Sequence, residues 1–367
     1  MKIILNTAVT ANNNINLHKN NAFGKSSSGP EKTRGNEFEN ISFKMAPDTC
    51  FLLGQVDTLK CFYTKKDLID ARQIKTIYSK LCKRPNAQSA VNYLQQYANN
   101  MFDVEYTIFN IFQEAEYKGK RGFPDILESM VPNSLRNIKQ KQIEVFDNTE
   151  EAVDCYPNDI AKQILELKDK AVKAILDGTF QRSCFLEQLL RILPENQDKF
   201  STPEIYRLWS KLPSAFYDYD AFVLKYHTED HETIAKRLIS PSVGTIEHVI
   251  PSSRGGEDNL GNCVLAAAKV NNPRSNLFIK ILMDLHPSIN MKNNMQSYID
   301  TFVREINKGN QEYVKRSWYP ESIQEKVETE TGKYFVPEVK PIISVSKSQT
   351  KQNKHFVSRR TPYTVYK

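Results

Sequence analysis

The sequence predicts a mainly α fold: a helical N-terminal domain followed by a small ββα unit with flanking C-terminal helices. Apolar residues recur at three- and four-residue spacing through residues 65–240, the period of a helix with one buried face. No stretch there alternates persistently in the two-residue rhythm of a strand. Residues 243–274 break that pattern and read as strand, glycine-bearing loop, strand and helix.

Residues 1–46 are rich in Asn, Ser and Gly, with almost no periodic apolar signal. Such a segment buries too little surface to offset its ordering entropy, so disorder is expected. Two fragments inside it, Asn21–Lys25 and Asn40–Lys44, echo each other within that biased composition. The opening Met1–Val9 has the outline of a signal peptide, but Asn6 and Thr7 break an already short apolar run, and that reading is rejected.

Helices then follow in order. Ile74, Ile77, Tyr78 and Leu81 make one apolar stripe, and Val91, Leu94 and Tyr97 another. Ile160, Ile164, Leu167, Ala171 and Ile175 make a longer one, with Asn158 placed to cap it and Gly178 to end it. Thr202-Pro203-Glu204 opens a helix whose buried face is Ile205, Leu208, Trp209 and Leu212, stopped by Pro213. Beyond residue 276, short helices are expected over Leu277–Leu285, Met295–Ile306 and Pro320–Thr329. The organisation is thus a disordered segment 1–46, a helical domain 47–240, the ββα unit 241–290, helices 291–332 packing on that unit, and a basic disordered tail 333–367.

Charge is unevenly placed. The net charge is +7, and residues 333–367 hold eight Lys or Arg against the single acid Glu338, so the remainder is neutral. A tail of this kind rests on polyanions through counterion release without reading sequence, or simply solubilises. The six cysteines are scattered with no CxxC pair, which points to reduced thiols in a cytoplasmic setting rather than a disulfide framework or a zinc ribbon. No run of eighteen apolar residues exists, so no membrane span is expected.

The chemistry concentrates in residues 243–274. Val243–Val249 fits a strand that Pro251 ends. Ser252–Asn259 is turn-rich, and Gly255-Gly256 supplies backbone conformations other residues resist. Asn262–Leu265 fits a second strand, and Ala266–Arg274 a helix. Glu247 and His248 are adjacent; Asn262 follows the histidine by fourteen residues and Asn271 comes nine later. A neutral imidazole accepts a proton near neutral pH, which makes His248 the candidate general base. Adjacent residues on a strand point to opposite sides, so Glu247 and His248 face apart.

This order and spacing resemble the HNH endonuclease family over residues 243–276. The resemblance implies a ββα-metal unit hydrolysing DNA phosphodiester bonds, with RNA not excluded. It implies that Glu247 and the Asn271 side-chain oxygen hold one Mg²⁺ (or Mn²⁺), and that Asn262 ties the loop and positions the base. His248, Glu247, Asn262 and Asn271 are thus the catalytic set, and Arg254, Lys269 and Arg274 the candidate phosphate contacts. Many relatives have Asp where Glu247 stands. Relatives with structural zinc carry a CxxC where this chain has Ala267 and Val270, so no structural zinc is expected, and Ile246, Val249, Val264, Leu265 and Val270 are expected to pack the unit. Two other readings stay open: a catalytically silent nucleic-acid-binding protein, and a helical protein-interaction module with an accessory nuclease.

Other constellations are set aside. His227 and His231 flank Glu229 but are separated by a turn, and the spacing is not HExxH. Lys118–Gly122 lacks the spacing of a phosphate-binding loop, Arg136, Lys139 and Lys141 read as a polar helix face, and Phe216, Tyr217 and Tyr219 as packing.

Overall fold

A computed structural model describes residues 47–84, 86–117, 122–193, 199–274 and 277–342. The expected disorder of 1–46, most of the Lys118–Gly122 turn and the tail beyond 342 lie outside these residues. In chain order the helices are α1 (Pro47–Leu53), α2 (Ile74–Cys82), α3 (Ala87–Leu94), α4 (Asp103–Tyr117), α5 (Phe123–Glu128), α6 (Val131–Asp147), α7 (Thr149–Ala152), α8 (Asn158–Leu176), α9 (Arg182–Ile192), α10 (Glu204–Trp209), α11 (Tyr219–Tyr226) and α12 (His231–Ile239). Then come β1 (Gly244–His248), β2 (Cys263–Ala267), α13 (Ala268–Arg274), α14 (Ile279–Leu285), α15 (Met291–Asn307), α16 (Gln311–Val314) and α17 (Tyr319–Thr331). The fold is mainly α with one small antiparallel hairpin among the described residues.

Local chemistry sets many of these boundaries. Asn86, Asp218 and Asp230 accept the Ser89, Ala221 and Thr233 amides and so cap α3, α11 and α12. At α8 the cap residue is Pro157, and Asn158 is the first helical residue, one place on from its expected role. Gly178 does end that helix: at φ +72° it turns the chain so that the Gly178 and Thr179 amides reach the Ile175 and Ala174 carbonyls.

The hydrophobic interior is divided differently from the expected boundary at 240. One core joins α1–α5, α11 and α12 to the hairpin and to α13–α17, with Leu52, Phe62, Ile108, Phe222, Leu238, Val264 and Phe302 all buried. A second core lies within residues 145–212, where Phe146, Ile164, Leu189, Ile205 and Trp209 meet. Trp209 anchors it by an edge-on contact with Phe146 at 5.0 Å and an indole bond to Thr149 Oγ1 at 2.9 Å. The expected 47–240 helical domain is therefore split between two cores, and its first part belongs with the hairpin.

That shared core has a polar counterpart. The Glu105 carboxylate of α4, fully buried, receives Arg237 of α12 at 2.8 Å and Lys269 of α13 at 2.9 Å. Arg237 also donates to the Ala215 carbonyl and the Tyr226 hydroxyl. The segment 61–69 covers both outer edges of the hairpin: the Phe62 amide bonds the Leu265 carbonyl at 2.9 Å, and Gly244 donates to Ile69 at 2.9 Å. A two-stranded sheet left open would present unpaired backbone to other chains.

The segment expected to begin the disordered tail docks instead. Gln296 of α15 exchanges two bonds with the Glu338 backbone, at 2.7 and 2.8 Å, and Phe335, Val339 and Ile342 pack on the main core. No helix among the described residues is long and apolar enough to cross a membrane.

Replacing Glu105 by Ala leaves two enclosed cations without their shared anion. The expected loss is about 3–5 kcal/mol of unfolding free energy, read as a lower urea midpoint. A shift worth less than about 1 kcal/mol would show that water reaches both cations.

Candidate active site on the hairpin

The register pairs Glu247 with Val264 and His248 with Cys263. Side chains alternate across the sheet. Thr245 and Glu247 therefore share one face and meet α13, while His248 lies on the other with Cys263. Asn271 of α13 donates through Nδ2 to Thr245 Oγ1 at 3.0 Å and to the Ile246 carbonyl at 3.1 Å. That fixes the amide's orientation: Oδ1 is left with no hydrogen-bond donor among the described residues.

Glu247 is buried and forms an ion pair with Arg274 Nη1 through Oε1. Burial pushes its carboxyl above the usual carboxylate range, and the Arg274 guanidinium pulls the other way. The other oxygen, Oε2, makes no hydrogen bond among the described residues. Glu247 Oε2 and Asn271 Oδ1 are thus uncommitted hard oxygen donors, which fit Mg²⁺ or Mn²⁺ in kind. Arg274 already balances part of the carboxylate charge, so an ion there would share Glu247 with it.

Two expected phosphate contacts are placed inside instead. Arg274 is fully buried; besides Glu247 it donates to the His248 and Val249 carbonyls, each at 2.6 Å, and to Glu330 of α17 at 3.2 Å. Lys269 is enclosed against Glu105, between the Phe102 and Tyr217 rings at 5.0 and 5.7 Å. Burial lowers its pKa, as expected for an ammonium removed from water. Neither cation has the exposure that phosphate contact requires. Arg254 is intermediate, bonded to Glu330 at 2.7 Å and stacked over Phe278 at 3.8 Å. The reason is common to all three: a buried carboxylate from a distant helix offers each a partner in low dielectric.

Asn262 ties the loop as expected. Its Oδ1 accepts the Ile250 amide at 2.8 Å, and its Nδ2 donates to the Ile250 and Glu257 carbonyls at 2.8 and 2.9 Å. The glycine turn fits the same closure. Gly255 has φ +84°, and a Cβ at Gly256 would lie 1.8 Å from the Ile250 carbonyl oxygen. Val249, Val264, Leu265 and Val270 are buried and Ile246 is partly so, giving the unit its packing.

His248 keeps partial solvent exposure at 29%, with Nε2 3.2 Å from Asp258 Oδ1. In the neutral ring, donation from Nε2 to this carboxylate would leave the lone pair on Nδ1. Cys263 stands across the hairpin, and burial pushes its thiol to about 12. Asp258, Cys263 and Glu330 were not singled out in the sequence. Cys263 follows from the strand register once both strands are placed, and Asp258 from the loop that Asn262 closes. Glu330, in a helix of its own, has no local signal.

Other candidates fall away. His227 contacts the Leu224 carbonyl at 3.0 Å, while His231 starts the next helix, stacked on Phe123 at 4.3 Å. Lys141 pairs with Asp218 and Asp220, tying α6 to α11. A cavity of about 630 Å³ touches Lys269 and Val270 at the start of α13 but none of His248, Glu247, Asn262 or Asn271. No family model, curated protein or solved structure matches the chain.

Truncating Asn262 to Ala strands three backbone groups at once. Asn262→Ala is expected to cost at least about 2 kcal/mol in thermal unfolding and to speed hydrogen exchange at the Ile250 amide. Unchanged exchange there would mean that the loop is closed by other contacts.

Proposed function

We propose that the chain is an HNH-type endonuclease that hydrolyses DNA phosphodiester bonds with one divalent cation, Mg²⁺ or Mn²⁺, and a histidine general base. The observation that supports this reading is that Asn271 of α13 meets the face of β1 that carries Glu247, with His248 as the strand's partly exposed last residue. The Asn271 amide is pinned to β1 through its nitrogen, which leaves the oxygen for a hard ion.

In this reading Glu247 and Asn271 would hold the ion, which would supply positive charge to the phosphate oxygens. His248 Nδ1 takes the proton of the attacking water, and Asp258 holds the ring in that tautomer. Asn262 holds the loop that carries Asp258, so the base is oriented from both sides. By resemblance to the family, the products carry a 5′-phosphate and a 3′-hydroxyl. Arg254, with 22% of its side chain exposed, is the predicted cation that would contact a phosphate in this reading. The basic residues beyond 342 supply further non-specific attraction.

The buried Arg274–Glu247 pair favours a second reading, in which the unit binds nucleic acid without cutting it. Supercoiled plasmid incubated with Mg²⁺ or Mn²⁺ separates the two. The wild type is expected to nick, and His248→Ala to lose about 10²–10⁴-fold in rate with unchanged helical content by circular dichroism. A His248→Ala protein that cuts as fast as wild type removes the base assignment. Salt-sensitive DNA binding that ignores chelator, without nicking, leaves the silent reading.

A further inference from the structure

His248, Asp258 and Cys263 each bring one ligand atom to within 4.8 Å of the others. Two of the three are held by the hairpin itself. His248 and Cys263 are register partners. The Cys263 carbonyl turns outward to the Tyr319 hydroxyl at 2.8 Å, while the next pair along is joined by the Val249 amide and Asn262 carbonyl at 2.7 Å. His248 and Cys263 therefore occupy a non-hydrogen-bonded position, where facing side chains come closest. Asp258, with 86% of its side chain exposed, already reaches His248 Nε2 at 3.2 Å.

We propose that His248, Asp258 and Cys263 form a second cation site, selective for a borderline divalent transition ion such as Zn²⁺, on the face of the hairpin opposite Glu247 and Asn271. Nitrogen, sulfur and one carboxylate oxygen are the donors such ions prefer, and three protein ligands leave a fourth position for water. Tetrahedral bonds of about 2.0–2.3 Å put ligand atoms roughly 3.3–3.6 Å apart, a closure that the exposed Asp258 supplies.

Binding is balanced by one proton. The Cys263 thiol releases H⁺ to solvent as its sulfur bonds the ion, and the imidazole binds through one nitrogen while the ring proton resides on the other. A sulfur donor beside an imidazole nitrogen favours an ion that bonds thiolate strongly. Mg²⁺, which prefers oxygen, does not. With one ring nitrogen on the ion and the other protonated, His248 can accept no proton from water. Zn²⁺ at this site consequently switches the base off, a consequence that rests on the nuclease reading above; the site itself does not.

Co²⁺ is the probe, added to the full chain in reduced form. A thiolate-to-cobalt charge-transfer band is expected in the near ultraviolet, saturating at one ion per chain and displaced by Zn²⁺. Cys263→Ser is expected to abolish it. Asp258→Asn, at an exposed position with no packing to lose, is expected to weaken binding by about tenfold or more. Absence of the band in the wild type, or its survival in Cys263→Ser with the exposed cysteines as ligands, overturns the site. In the plasmid assay with excess Mg²⁺, Zn²⁺ is expected to inhibit wild type and spare Cys263→Ser. A wild type that binds Co²⁺ with the band but never nicks defeats the nuclease reading and leaves this site standing.

Discussion

Arg274 leaves α13 at its last residue and lies wholly enclosed, its guanidinium against the Glu247 carboxylate, the His248 and Val249 carbonyls and Glu330 of α17. Those partners come from the end of β1, the first step of the loop and a helix more than fifty residues further on. A planar, permanently charged fork satisfies several acceptors at once, which an ammonium on a flexible stem does not. Removing such a cation from water is costly, and the enclosed acidic partners are what offset that cost. The strand end that presents Glu247 and His248 keeps its shape because this cluster sits behind it.

A second enclosed cluster works at the other end of the unit. Glu105, Arg237 and Lys269 join α4, α12 and the first turn of α13. Helix α13 is thus clamped by charge at both ends and by Asn271 in its middle, where the amide reaches β1. A seven-residue helix has little stability of its own, so these contacts, with the shared apolar core, define its position. The N-terminal helices are accordingly part of the scaffold of the hairpin, as are residues 61–69 along its edges.

The two faces of the hairpin differ in chemistry. One face offers oxygen donors in an enclosed, charge-rich setting. The other offers a partly exposed imidazole, an exposed carboxylate and a buried thiol. Alternation along five residues of strand is sufficient to create that separation, and the antiparallel register selects which residue of β2 stands behind each group.

Much of the architecture was legible in the chain. Helical periodicity marked α2, α3, α8 and α10, the punctuation around Pro251 and Gly255-Gly256 marked the hairpin loop, and the segment holding Glu247, His248, Asn262 and Asn271 marked the stretch that folds as the hairpin and α13. These are local properties, set by repeat length, backbone freedom and side-chain type, and a linear sequence carries them directly. Caps were less sharp, since Pro157 and Asn158 differ by one place and either can begin a helix. What the sequence could not carry was partnership across distance. Arg274 and Lys269 look, on a polar helix, like cations for a phosphate; they are internal only because Glu330 and Glu105 arrive from α17 and α4. Asp258 gains meaning from the loop closure that Asn262 makes, and Cys263 from the register. The division of residues 47–240 between two cores was equally hidden, because an apolar stripe states that a helix buries a face and says nothing of what covers it. Pairing of charges and of apolar faces depends on which elements meet, and that is decided only when the whole chain packs.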